Sequence, residues 1–242
     1  MLSKTNLNLI LLGVLTVSVV ANQAVLANTK KTMGIESRGL FPSLPASFLK
    51  ILKGGTSLSG NLGDDAVKLA FAQGAPEIYG SELNVNYDDV QNAMNIIKQY
   101  DPDYGKQKLA LSPEEMKRYI NIDLKISCEF CCGAAAIIFE NGKASCGCAH
   151  SQAMRGLTAY LLKNHGSQYS DDQILRELAR WKGRYYPKQM VQKMSDQLQS
   201  GQYTPDIASL LLDVKLPKYG ANSSAAPVPS DIKNLPSMVG GC

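Results

Sequence analysis

Histidine is scarce in this chain of 242 residues, which contains only His150 and His165. With so few imidazoles, no Ser-His-Asp arrangement for nucleophilic catalysis can be recognised. An excess of one charge is also missing, because 25 Lys and Arg face 21 Asp and Glu, and the basic residues are scattered. Nucleic-acid-binding proteins usually concentrate their basic residues in a stripe, so we expect no nucleic-acid partner. These absences favour a binding protein over an enzyme.

The composition also lacks the signatures of several non-globular classes. Hydrophobic residues make up 45% of the chain and charged residues 19%. These values exclude a wholly disordered, collagen-like or polytopic membrane protein. The roughly 200 residues that follow any targeting segment are enough for one sizeable core or two small ones.

Residues 1–27 are typical of a targeting segment. Lys4 precedes an apolar run over residues 7–21, and Val25-Leu26-Ala27 has the small-residue pattern of a signal-peptidase site. The alternative is an uncleaved membrane anchor, since the run is near the length that spans a bilayer. No cysteine lies in the segment, which excludes a lipid-modified amino terminus. Either form predicts export to an extracytoplasmic space, with the membrane as a partner if the segment is retained.

The remainder divides into three parts by composition. Residues 28–75 are rich in Gly, Ser and Pro and predict a spacer, whereas residues 214–242 predict an extended Pro/Ser/Gly-rich tail. Residues 76–213 carry helical patterns and predict a mainly α domain. Its helix starts are marked by capping residues or by Pro at the first helical position, at Asp88 or Asp89, Ser112, Ser170, Pro187 and Thr204.

Five of the six cysteines fall between Cys128 and Cys148. An apolar run of strand type over residues 135–139 and the turn-forming pair Asn141-Gly142 separate the two halves of this cluster. We therefore predict a small β-hairpin, followed by a helix from Ser151. Residues 128–165 would then form a treble-clef or ribbon-like module, in which a Cys-x-x-Cys turn faces ligands at a helix amino terminus.

Several thiolates at such short distances repel one another unless they are protonated, oxidised or neutralised by a cation. Soft or borderline cations are the natural partners, which points to zinc, copper or an iron–sulfur cluster. The preferred ligands are Cys128, Cys131, Cys146 and Cys148, with Cys132 and His150 as alternates or additional ligands. This donor set exceeds what a tetrahedral zinc requires, and the surplus favours a multinuclear site or ligand exchange during metal transfer.

Other readings of the cysteines stay open. A disulfide framework is common in exported proteins, but the adjacent Cys131-Cys132 pair forms small rings poorly and five is an odd number. The last residue, Cys242, can complete that count, close over the site or pair with another chain. A thioredoxin-like redox site is disfavoured because a strand pattern, not a helix, follows Cys132. Haem attachment requires Cys-x-x-Cys-His, which is absent.

The sequence from Cys128-x-x-Cys131-Cys132-Gly133 through Cys146-Gly147-Cys148-Ala149-His150-Ser151 to Ala153-Met154-Arg155-Gly156 resembles an uncharacterised family of exported or membrane-anchored prokaryotic proteins. The resemblance extends over about half the chain and implies export and a cysteine site, but no reaction. Cys146-Gly147-Cys148 also resembles part of the Pro-Cys-Tyr-Cys-Gly-Cys motif of extracytoplasmic lipoproteins, which implies metal binding. The preceding Pro-Cys-Tyr is missing here.

Together, these patterns predict an extracytoplasmic transition-metal-binding protein that holds or transfers its metal through thiolates. A thiol or iron–sulfur redox protein is one alternative. A structural module, held by zinc or disulfides and presenting a surface to another protein, is the other. The sequence indicates no particular protein partner.

Overall fold

The computed structural model describes residues 57–219 and 233–241, which all belong to the second of two compact units, Ser43–Cys242. The first unit, Met1–Pro42, contains the predicted targeting segment and lies outside the described residues. The described part contains seven α-helices and no strand, so the mainly α prediction is confirmed. The helices are α1 (Leu62–Ala70), α2 (Val90–Ile97), α3 (Pro113–Asp123), α4 (Ala149–His165), α5 (Asp171–Tyr185), α6 (Pro187–Ser200) and α7 (Pro205–Leu210).

Five helices of the described part, α2, α3, α5, α6 and α7, begin where the capping signals predict, whereas α4, predicted from Ser151, begins at Ala149. Ser112 and Ser170 each form a complete capping box with the side chain three residues later. The Asp89 side chain accepts a hydrogen bond from the Asn92 amide, and Pro187 and Pro205 occupy the first turns of α6 and α7. These groups satisfy or remove backbone donors that a helix start leaves without partners.

Helix α4 is the centre of the domain. It packs against α2, α3, α5 and the 3₁₀ turn Lys98–Tyr100, and 12 of its 17 residues are buried. Gly156 permits the closest approach, since a Cβ at this position would overlap the Ile97 carbonyl oxygen. Gly183 of α5 permits a similar approach to the Ala70 carbonyl oxygen of α1.

Helix α1 lies within the segment for which the composition predicts a spacer. Asn61 caps it by accepting hydrogen bonds from the Gly63 and Asp64 amides. Its buried apolar residues recur every three or four positions, as in any amphipathic helix, and they are Leu62, Ala66, Val67 and Ala70. This face packs against α6, so the helical domain begins earlier than residue 76.

The predicted β-hairpin is not confirmed. Isolated bridges join Cys128 to Ala134 and Ile138 to Ala144, the second one across the Asn141-Gly142 turn. The Ile137 amide, which a longer ladder would direct to Ser145, instead donates to the Ile126 carbonyl at 3.0 Å. The turn is therefore present without the strands.

The described part of the predicted tail, residues 233–241, packs on the helical domain. The Val239 amide donates to the Tyr185 carbonyl at 2.8 Å, and the Gly241 amide donates to the Gln91 side chain at 3.1 Å. Leu235 is buried. Among the described residues, no helix is long and apolar enough to cross a membrane.

Candidate metal centre

The five clustered cysteines lie in two loop segments on either side of the Asn141-Gly142 turn. Cys128, Cys131 and Cys132 belong to a tight turn after α3, in which the Cys131 and Gly133 amides donate to the Cys128 carbonyl. Cys146 and Cys148 lie just before α4. Cys148 is the N-cap of that helix, and its Sγ accepts a hydrogen bond from the Ser151 amide at 3.4 Å. The sequence prediction of a helix amino terminus beside the thiols is thus confirmed.

The thiols form two groups of three, and Cys128 belongs to both. One group, here called the Cys131 group, contains Cys128, Cys131 and Cys148. The other, the Cys132 group, contains Cys128, Cys132 and Cys146. Within each group all Sγ atoms lie within 4.8 Å of one another, so the cluster can hold a metal ion.

Burial differs across the cluster. Cys128 is fully buried, Cys146 and Cys148 are half-buried, and Cys131 and Cys132 are exposed. No disulfide joins any two of Cys128, Cys132, Cys146 and Cys148. The shared thiol therefore lies at the base of the cluster, and one exposed thiol of each group lies at its surface.

Cys128 and Cys148 interact as an unequal pair whose Sγ atoms are 3.6 Å apart. The contact with Cys148 and then burial raise the pKa of the Cys128 thiol to about 12. The same contact, helped by the Ser151 amide at the helix amino terminus, lowers the pKa of Cys148. Burial and the neighbouring Cys132 thiol raise the pKa of Cys146. These opposite shifts make Cys148 the more acidic thiol of the pair.

His150, an alternate ligand in the sequence prediction, belongs to neither thiol group. Its buried ring lies between Tyr185 and Tyr186, with ring centroids 4.9 and 5.0 Å away. Nε2 lies 2.9 Å from the Val239 carbonyl, to which a neutral ring donates. Burial lowers the pKa of His150, which favours that neutral form. In this arrangement His150 binds the segment 233–241.

A buried lysine holds the first cysteine turn. Lys182 of α5 is fully buried, and its ammonium donates to Ser127 Oγ at 3.0 Å, Glu129 Oε1 at 2.9 Å and Asp206 Oδ2 at 2.8 Å. Lys193 of α6 also pairs with Glu129 and Asp206. Although burial alone would raise it, these ammonium groups hold the pKa of Asp206 at about 2.

A buried arginine holds the second cysteine segment. Arg155 of α4 forms a 2.6 Å ion pair with Asp101, and both side chains are fully buried. Its Nη1 also donates to the Cys146 carbonyl at 2.9 Å and to the Ile137 carbonyl at 3.0 Å. The carboxylate of Asp103 binds the Ala144 amide in the same segment.

Sequence reasoning found the five thiols but missed Lys182, Glu129 and Arg155. Lys182 follows Leu178 by four residues and therefore lies on the apolar face of α5, which is a signal for a buried cation. Arg155 gives no comparable signal, because its charged partner Asp101 lies 54 residues earlier in the sequence. Cys242, a candidate for closing over the site, lies outside the described residues.

No family model, curated protein or solved structure matches this chain. The family resemblance of the cysteine spacing thus stays a prediction.

Proposed function

We propose that this protein holds a transition metal in its thiolate cluster and hands it on as cargo. The observation that carries the proposal is the pair of three-thiol groups that share the buried Cys128. Thiolates select soft and borderline metals over the hard cations that prefer oxygen ligands. Each group supplies three such donors within a few ångströms, which is a complete or nearly complete coordination shell.

The grouping by three favours copper. Zinc sites are almost always four-coordinate and tetrahedral, whereas Cu⁺ accepts three thiolates. We assign one Cu⁺ to the Cys131 group and one to the Cys132 group, with the Cys128 thiolate bridging both. One zinc ion or an iron–sulfur cluster held by four of the five thiols is the competing result.

The exposure of the thiols supports a transfer role. Cys131 and Cys132 are at the surface, whereas Cys128 is buried. An incoming ligand from a partner protein can replace an exposed thiolate first, so that the ion leaves by stepwise exchange. The buried Cys128 then releases the ion last.

The proposed location is extracytoplasmic, and it rests on residues 1–27, outside the described part of the chain. Their sequence is typical of a cleaved signal or a retained membrane anchor. Thiols in that space tend to oxidise unless a metal holds them, which gives a metal-loaded cluster a clear advantage there. The proposal also includes a treble-clef-like arrangement around the Cys148 helix start and membership of the uncharacterised exported family.

The test counts metal ions on the reduced full-length protein, loaded without oxygen with Cu⁺ as its bicinchoninate complex and measured by native mass spectrometry. We expect one ion for each of the two groups in the native protein. Cys131→Ser and Cys132→Ser should each leave a single ion. Cys128→Ser should remove both ions, because it takes one ligand from each group.

Met194→Leu is the matched control, because Met194 is a buried sulfur-containing residue of α6 and belongs to neither group. It should leave the ion count unchanged. A single ion in Cys128→Ser would contradict the shared-thiol assignment. Failure of the native protein to bind Cu⁺, Zn²⁺ or an iron–sulfur cluster would overturn the metal-binding function itself.

A thiol redox function is the second candidate. The 3.6 Å contact between Cys128 and Cys148, with Cys148 activated at a helix amino terminus, is the observation that favours it. The assay is reduction of a model aromatic disulfide at pH 7. Rapid turnover that is lost in Cys148→Ser, with no metal bound, would favour this function over metal transfer.

A further inference from the structure

Two fully buried cations lie behind the thiol cluster, and each binds one of the two cysteine segments. Burying a cation is costly unless its hydrogen bonds are satisfied, so such groups are held by fixed partners. Lys182 meets this condition with partners that flank Cys128. Both terminal nitrogens of Arg155 are bound, one of them to the Cys146 carbonyl, whereas its buried Nε has no partner among the described residues. Their positions suggest that these two cations determine where the thiols lie.

Lys182 fixes the residue on each side of Cys128. Its three ammonium protons are directed to Ser127, Glu129 and Asp206, of which Ser127 and Glu129 flank Cys128 in sequence. The ammonium also lies 5.2 Å from the centre of the Phe130 ring. Since Cys128 is shared, the contacts of Lys182 with its neighbours affect both thiol groups.

Arg155 fixes Cys146, which belongs only to the Cys132 group. The guanidinium is anchored by Asp101, and its Nη1 binds both the Cys146 carbonyl and the Ile137 carbonyl of the loop beside it, so it fixes the position of the second segment. The thiol of Cys148 is oriented separately, by the Ser151 amide at the start of α4. Arg155 therefore bears on one group more than on the other.

Resting on the proposed function, we infer that Lys182 and Arg155 are positioning residues that tune the two metal positions separately. The Lys182–Glu129 contact governs both ions through Cys128. Arg155 governs the ion of the Cys132 group through Cys146. The protein can thus bind two ions with different affinities although all their ligands are thiolates.

The experiment compares native protein, Glu129→Gln and Arg155→Lys by competition for Cu⁺ with bicinchoninate. Groups that orient ligands typically change metal affinity 10–100-fold when mutated, which sets the expected scale at about tenfold or more. Arg155→Lys keeps a cation beside Asp101 but cannot bind both carbonyls, so the affinity for only one of the two ions should fall. Glu129→Gln leaves Lys182 paired with Asp206 and should lower the affinity for both ions.

Arg118→Lys is the matched control. Arg118 binds Asp171 and the Gly166 and Tyr169 carbonyls, each at 2.6 Å, so it uses the same kinds of bond as Arg155 on a different loop. It should leave both copper affinities unchanged even if the melting temperature falls. If Arg155→Lys binds copper with the native affinities but melts at a lower temperature, Arg155 has only a structural role.

A metal-free readout separates this inference from the proposed function. In the reduced apoprotein, iodoacetamide should alkylate Cys146 faster in Arg155→Lys than in native protein, with the rate at Cys148 unchanged. Faster alkylation without any metal binding would support the positioning role and refute the metal function. Unchanged alkylation, together with native copper binding, would refute the positioning role alone.

Discussion

Cys128 differs from the other described cysteines because it is both buried and common to two thiol groups. Its neighbours in sequence are fixed by Lys182, and its own amide donates to the Ala134 carbonyl at 2.9 Å. A thiol held in this way can bridge two ions without being displaced by solvent. Cys131 and Cys132 are exposed, so an incoming ligand can reach their thiols.

Asp123 provides a prediction about pH at the scale of one residue. Burial raises the pKa of this carboxyl to about 8. The Thr158 hydroxyl donates to Asp123 Oδ1 at 2.6 Å, which lowers the pKa but does not offset the effect of burial. Because the folded state holds this proton and the unfolded state releases it near pH 4, the contribution to stability is fully present below that pH and is lost as the pH rises through about 8.

Asp123→Asn should remove that pH dependence, since the amide is neutral at every pH. In native protein this group should lower the free energy of unfolding by about 1 kcal/mol for each pH unit between pH 5 and 7. Urea unfolding at several pH values measures the slope. Glu115→Gln is the control, because hydrogen bonding to Ser112 lowers the pKa of Glu115 and confines its effect to more acidic pH. Equal slopes in native protein and Asp123→Asn would show that Asp123 is ionised in the fold.

Residue types identified the thiols of the site, but not what holds them. The cysteine spacing predicted the two converging segments because short local turns determine them. The ion pair of Arg155 with Asp101 joins residues 54 positions apart in sequence. A single sequence gives no signal for such contacts, which exist only once the helices have packed.

At the scale of the helix, Cys148 has two roles that substitutions can separate. It caps α4 by accepting the Ser151 amide, and it contributes a thiol to the Cys131 group. Ser is a better N-cap than Ala, and loss of a capping side chain typically costs about 1 kcal/mol. Cys148→Ser should therefore retain the stability of the metal-free protein but lose one ion. Cys148→Ala should lose that ion and also reduce the stability of the metal-free protein. Thermal unfolding and native mass spectrometry measure the two effects, and equal stability of the two variants would show that the cap is unimportant.

Helix packing predicts whether Gly156→Ala raises or lowers the free energy of unfolding. In an open helix, replacing Gly by Ala stabilises by up to about 1 kcal/mol. Here the added methyl group would overlap the Ile97 carbonyl, so we expect a loss of about 1–3 kcal/mol, as for other overpacked positions. Urea unfolding decides the sign. A stabilised Gly156→Ala variant would show that α4 and α2 are further apart than described.

The helix starts were predictable because capping is local: Ser112, Ser170 and Pro187 carry their signals within one turn. Helix α1 was missed because Gly- and Ser-rich sequence precedes it, although Asn61 and the apolar positions of the helix indicate it. The turn of the predicted hairpin is present, but its strands are not confirmed. The Ile137 amide, which a longer ladder requires, donates to the Ile126 carbonyl instead.

At the scale of the whole molecule, the segment 233–241 connects the end of the chain to the helices beside the thiol cluster. Leu235 is buried, and the Val239 carbonyl accepts from His150, two residues after Cys148. Leu235→Ala should release the segment because it removes the buried side chain. Hydrogen exchange at the Val239 and Gly241 amides should then quicken, while exchange within α4 stays unchanged. Native exchange rates in this variant would mean that Leu235 does not hold the segment.

The proposed metal centre depends on two ions that share one thiolate. X-ray absorption at the copper edge of the fully loaded, reduced protein tests it most directly. We predict three sulfur neighbours around each copper, as the two thiol groups imply, and a copper–copper vector that disappears in Cys131→Ser, which should keep a single ion. A native spectrum with no copper–copper vector, or with nitrogen and oxygen neighbours in place of sulfur, would contradict the shared-thiolate assignment.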